Sequence, residues 1–479
     1  MQPKNIIFGG GVSHTVLNPA VLVVLLVGGV LIWILPRNKA IAVFLSVCIL
    51  IPTDQILLLG SFHFPAYRIV VLFGLARIMW AKARSTSQIF SGGMNGIDKA
   101  LVLMTIFTVI DGVLLWRESG ELTYQLGNLY TAFGIYFLLR FLIRDEEDVQ
   151  WAIRAFAYVA TAVALLMVYE QLTGRNPVYA LLGGARAAVY GTDIERADKI
   201  RATASFAHPI LAGTFGAILL PLFFGLWRKD KKNRTIALVG MIAAAVIPIA
   251  SNSSTSLMGL IGGVVALCCW PVRKLMRPIR WVIVVSLVFL QIVKKSPVWH
   301  LITDVDLTGS SSSYHRFELV NQCILHFWNW MLIGTKSYAS WGFDMWDLSN
   351  QYVAVGEVSG LVPLICLLTI LVLGFKYLGI ARKAAERDRK QEVFIWSIGA
   401  SLFSNLVAFL GISYFDQTIV AWYALLAIIS VVTFAARSAQ LEPKAAIETA
   451  KPDFAFQAQL TSTRFAHRDS SIAAKLKGA

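Results

Sequence analysis

AHPILAGTFGAILLPLFFGLW, residues 207–227, contains His208 as its one ionisable side chain. A helix of that length rises about 30 Å, the thickness of a bilayer's hydrocarbon core, and satisfies its own backbone hydrogen bonds there. The stretch reads as a membrane-spanning helix. Working outward, similar apolar runs of roughly 16 to 24 residues lie near 18–35, 40–60, 66–81, 98–116, 122–143 and 149–172. Others follow near 235–250, 254–271, 279–293, 355–378, 393–412 and 417–436. With 57% hydrophobic residues, 15% charged and a mean hydropathy of +0.64, the chain lies outside the range of soluble domains. The expected fold class is all-α, a polytopic transmembrane helix bundle of about twelve or thirteen helices filling residues 1–436. No basic cluster precedes the first run and Pro36-Arg37 follows it, so that run is expected to stay as a helix.

Loop charge sets the expected orientation, because Lys and Arg are retained on the cytoplasmic side. Every second connection is basic: Arg37 and Lys39, Lys82 and Arg84, the cluster from Arg228 to Arg234, that from Arg273 to Arg280, and Arg382 to Lys390. The alternate connections then face outward, including two long ones at about 173–206 and 294–354. Residues 437–479, polar and Ala-rich without sustained periodicity, are expected to form a disordered cytoplasmic tail. The net charge of +15 follows from these helix-flanking connections and calls for no nucleic-acid partner. Cys48, Cys268, Cys269 and Cys366 lie in or beside apolar runs and Cys323 in an outer loop, a pattern with no metal-ligand or disulfide spacing. No P-loop, dinucleotide fingerprint or hydrolase motif occurs, so neither a metal nor a nucleotide cofactor is expected.

The segment RATASFAHPILAG, 201–213, places Arg201 and His208 before a helix that begins at the outer face, with Pro209 suited to its first turn. A helix N-terminus favours anions, through its unpaired N–H groups and its dipole. SNSSTS, from Ser251 through Asn252 and Ser254 to Ser256, opens a second helix in the same way. Asp347, Ser349 and Asn350 lead into a third. Three polar helix starts on one face suit an anion bearing hydroxyls, presented at a membrane surface. Each also has a plainer reading: Arg201 as a cation reaching the headgroups, His208 and the Ser cluster as helix caps. The second long loop is the most chemically mixed part of the chain. After GSSSS it brings Tyr314, His315, Arg316 and Glu318 within five residues, then Trp328, Trp330, Trp341 and Trp346. Its section from Phe317 to Leu332 is expected to be an interfacial helix at the outer face.

These segments resemble the O-antigen ligase and polymerase superfamily. RATASFAHPILAG resembles its R-x-x-G-x-F-x-x-P-x-x-L-A segment, and SNSSTSLMGLIGG its Ser-rich helix start. In the loop, Arg316 matches the arginine of G-R-x-x-x-W and Gly334 the glycine of P-L-x-G. Asn350, Glu357 and Gly360 match H-N-x-Y-x-x-x-x-x-E-x-G. The likeness covers about 200–378. Two positions depart from it: Ser349 replaces the histidine before the Asn, and Val320 the tryptophan after the arginine.

The resemblance implies a GT-C-type glycosyltransferase of the bacterial inner membrane with its active site on the periplasmic face. It implies transfer of a glycan from undecaprenyl diphosphate to an acceptor hydroxyl, on another glycan, lipid A core or protein. Arg201 and Arg316 are the candidates to stabilise the diphosphate leaving group. With the usual histidine replaced, His315, Glu318 or Asp347 is the candidate base. His208, Ser251, Asn252, Ser254, Ser349, Asn350 and Glu357 are the candidate substrate-binding residues. The alternative is a transporter or flippase of a lipid-linked or anionic substrate, for which Asp54, Asp111, Glu170 and Asp416 would supply charge within or near the spans.

Overall fold

The computed structural model describes residues 14–84, 88–184, 195–196, 199–294, 296–300 and 312–449. Its helices open with α1 (Pro19–Ile34), α2 (Arg37–Leu50), α3 (Ala66–Arg84), α4 (Gly96–Trp116), α5 (Ser119–Leu142), α6 (Glu146–Thr173) and α7 (Pro177–Leu182). Next come α8 (Pro209–Lys229), α9 (Arg234–Ala250), α10 (Ser254–Cys268) and α11 (Met276–Val293). The set closes with α12 (Ser312–Leu325), α13 (Phe327–Trp330), α14 (Gln351–Ser359), α15 (Leu361–Ala384), α16 (Arg389–Ala408) and α17 (Thr418–Thr449). Each of the thirteen apolar runs carries one of these helices, except that at 355–378, which carries two. Among the described residues seven helical segments are long and apolar enough to cross a membrane: 96–116, 146–173, 209–229, 231–250, 270–293, 361–384 and 418–438. The architecture is all-helical and compatible with a multi-pass membrane protein, and among the described residues two short antiparallel hairpins are added to it.

Local chemistry starts the helices where the sequence places them. Asn18 and Asn176 accept N–H groups ahead of Pro19 and Pro177, and Asn95 with Asp98 forms a reciprocal capping box. Asp145 and Asp388 cap α6 and α16. Helix α8 is the centre of the bundle, packed by α6, α9, α10 and α16. Backbone approach explains its small residues. An added Cβ at Gly216 would stand 2.7 Å from Ile247 Cβ, and one at Gly213 only 2.2 Å from Ser251 Oγ. Helix α11, by contrast, has no buried residue.

Three expected elements differ. The run at 40–60 is helical only to Leu50, because Pro52 lacks the N–H to continue it. The chain then forms a hairpin of β1 (Ile56–Leu59) and β2 (Phe62–Pro65). The run at 355–378 is two helices, α14 and α15, divided at Gly360, whose φ of 84° no helix accommodates. The expected interfacial helix 317–332 starts earlier and breaks at His326, giving α12 and α13. Among the described residues 435–449 belong to a second unit, through which the last helix runs to Thr449; the rest of the expected tail, 450–479, lies outside the described residues.

The two ends of the first unit carry different chemistry. At one end the basic connections pair with acids: Arg37 with Asp145 and Asp148, Lys229 with Glu146, and both Arg273 and Arg382 with Glu392 at 2.9 Å. At the other, polar side chains bond to backbone carbonyls. Gln417 Nε2 donates to Ile51 and Ser205, Ser205 Oγ to Ile49, and Gln171 Nε2 to Ile200 and Ala250.

Candidate functional site

The candidate site lies at the end without the basic clusters. Arg201 is partly buried and heads the strap into α8; the next N–H, of Ala202, donates to Ala250 O at 3.1 Å. That strap is anchored from α6. Glu170, 4% exposed, accepts the N–H groups of Thr203 and Ala204 at 2.9 and 2.8 Å and the amide of Asn176 at 3.1 Å. These bonds hold Ala204 at φ 50°, a left-handed conformation that disfavours a Cβ. The resembled segment has glycine at that position. His208 caps α8, its Nδ1 accepting the Ile210 N–H at 3.2 Å, so a neutral ring carries its proton on Nε2.

The Ser-rich turn joins this strap to the long loop. Ser251 Oγ donates to Pro248 O at 2.8 Å, Asn252 turns the chain with a φ of 45°, and Ser256 Oγ donates to Ile210 O at 3.1 Å. From the loop side, α12 carries Arg316 inward to 5% exposure. Its Nη2 donates to Thr255 Oγ1 at 2.7 Å and to Ser254 Oγ at 3.4 Å. Thr255 in turn donates to Gly411 O. Hydroxyls accept a guanidinium's hydrogen bonds without taking its proton, and Arg316 also acts electrostatically on the Asp347 carboxyl. Thr255 is the residue of this group that sequence reasoning missed; its place beside Ser254 in SNSSTS was the available signal.

His315 Nε2 lies 3.1 Å from Asp347 O and 4.0 Å from its carboxylate. Desolvation pushes the Asp347 carboxyl above its ordinary range, opposed by His315 and Arg316. Glu318 instead accepts from Gln322 one helical turn on. Ser349 is buried, and Asn350, 1% exposed, caps α14 by accepting the Tyr352 and Val353 N–H groups while its amide reaches Leu410 O.

Glu357, Gly334 and Gly360 form a separate junction. Thr335 N–H donates to Glu357 O at 2.8 Å and Leu361 N–H to Met331 O at 2.9 Å, closing the loop onto the break between α14 and α15. The Glu357 carboxyl faces Cys323, and burial pushes it up to about 8 against the thiol's hydrogen bond. Around it a small core of Cys323, Trp330 and Val353 supports the loop, with the Trp330 indole donating to Cys323 O at 2.7 Å. Trp328, Phe343 and Trp346 stay largely exposed.

A cavity of about 840 Å³ opens at the same end, between the β1–β2 hairpin, the starts of α3 and α5, and the loop before α17. Its position was not legible in the sequence, although Asp54 and Asp416 stood out there as charges near apolar runs. Among the described residues no group of three or more metal-ligating side chains occurs. Compared with protein-family models and with curated proteins, the chain matches none.

Proposed function

We propose that this protein is a glycan transferase of the O-antigen ligase and polymerase type, with a GT-C-like helix bundle in the bacterial inner membrane. Its hydroxyl-lined end faces the periplasm and the basic end the cytoplasm, in keeping with retention of Lys and Arg inside. The observation that carries the reading is Arg316, buried and held by Ser254 and Thr255 at the start of α10. The donor is a glycan on undecaprenyl diphosphate. As the anomeric C–O bond breaks, the electron pair leaves with the diphosphate, and Arg316 with Arg201 stabilises that charge. The acceptor hydroxyl, on a glycan, lipid A core or a protein, attacks the anomeric carbon. Its proton passes to the His315–Asp347 pair. Neither nucleic acid nor ATP enters the reaction.

One observation weighs against the transporter reading: of its four candidate charges, Glu170 is consumed by the strap it anchors. Chelator-treated protein in detergent, given an undecaprenyl-diphosphate-glycan pool without ATP, tests the proposal. Transfer by wild type and its loss in Arg201→Ala and Arg316→Ala is the expected result. Donor that is never consumed, but crosses between leaflets in liposomes, would overturn it.

A further inference from the structure

The 840 Å³ cavity at the hydroxyl-lined end is not used by the proposed chemistry. Its volume falls in the range of small-molecule sites. Charge of both signs lines it: Asp54 and Asp416 are opposed by Arg68. These groups are held in place. Arg68 donates from Nη1 to His63 O at 2.9 Å and from Nε to Thr131 Oγ1 at 2.8 Å. Asp416 Oδ1 accepts the Thr53 hydroxyl at 2.7 Å, and Asp54 is 5% exposed. Aromatic rings complete the walls, with Tyr124 39% and Phe62 52% exposed, and Asn128 adds an amide.

This combination selects among ligand classes. Two carboxylates repel an anion such as a diphosphate, and Arg68 offsets one of them, so a cation meets little net attraction. An acyl chain would strip water from fixed polar groups and offer them no partner. An uncharged polyhydroxyl chain satisfies all of them: its hydroxyls donate to carboxylates and accept from guanidinium and amide, and its C–H faces lie on the rings. We infer that the cavity is a binding site for a neutral glycan. The loop of residues 409–417 touches both regions, through Gly411 O to Thr255 and Asp416 to Thr53. That continuity makes the cavity the seat of the acceptor glycan, an assignment that rests on the transferase reading, whereas glycan binding itself does not.

The test is saturation-transfer NMR on the full chain in nanodiscs with neutral trisaccharides of glucose, galactose, mannose and rhamnose. At least one is expected to receive saturation. Tyr124→Ala and Asp54→Asn should weaken it about tenfold, the effect of one lost polar or stacking contact. Tyr124→Phe keeps the ring and should retain binding, as should Arg316→Ala. Variants are compared only where size-exclusion profiles match wild type, and Asn128→Ala serves if Asp54→Asn fails to fold. Saturation of no trisaccharide, or saturation indifferent to every cavity variant, overturns the inference. Binding that persists where the protein transfers no glycan sinks the transferase reading and leaves the cavity site standing. Active transfer unaffected by the cavity variants overturns the acceptor assignment and leaves the transferase reading standing.

Discussion

Gly360→Ala tests whether the loop that carries His315, Arg316 and Asp347 depends on the junction beneath it. Gly360 sits at φ 84°, ψ −177°, a region that only glycine adopts freely, so the backbone strain of an alanine is about 1–3 kcal/mol. Its Cβ would stand 2.7 Å from Leu332 O and 3.2 Å from Ile333 N, both backbone atoms that no rotamer change removes. Relief requires the chains to part. That breaks the Thr335–Glu357 and Leu361–Met331 hydrogen bonds, each contributing about 1 kcal/mol net. The sum is about 3–5 kcal/mol of local stability. Two alanine controls bracket it. Gly60, at φ 61° with nothing within 4 Å of an added Cβ, should show the strain alone, about 1 kcal/mol. Gly379, helical and open, should gain up to about 1 kcal/mol. Denaturant midpoints in one detergent, followed by tryptophan fluorescence, and the rate of proteolysis within 331–350 give the comparison. A Gly360→Ala midpoint no lower than that of Gly60→Ala, with unchanged proteolysis, refutes the reasoning.

Glu357, pushed up to about 8 from an ordinary 4.5, favours the folded state only while protonated. Its contribution is therefore complete below pH 4.5 and is lost as pH rises towards 8, with a ceiling of about 5 kcal/mol. Glu357→Gln should flatten the stability profile between those pH values, and a profile identical to wild type refutes this. Ala204→Gly should stabilise by up to about 1 kcal/mol in thermal unfolding, because glycine accepts φ 50° without strain. Glu170→Leu leaves the Thr203 and Ala204 N–H groups buried without their acceptor and should lower stability by about 2–3 kcal/mol, measured the same way. Thr255→Val removes the 2.7 Å acceptor from Arg316, and transfer should fall about tenfold while donor binding persists.

The helices and their order were legible in the sequence, because a membrane-length apolar run has one way to satisfy its backbone in lipid. The cap at His208 was legible too, since its bond reaches only two residues along the chain; Asn18 and Asn95 cap over the same short range but were not singled out. Pro52 could have been read as the end of α2, but the hairpin after it depends on pairing across Gly60. The split at Gly360 needed the opposing carbonyl of Leu332, which the sequence does not place there. Arg316 and Ser254 were each singled out from the sequence. Their contact, spanning sixty-two positions, was decided by how α12 folds back onto α10. The cavity is the extreme case. Asp54, Arg68, Tyr124 and Asp416 come from segments whose local patterns have nothing in common, and only the packing of helix ends makes them neighbours. Hydrophobic length and capping act over a few residues and are written in order along the chain, whereas the distances between loop side chains are set by which helices pack together.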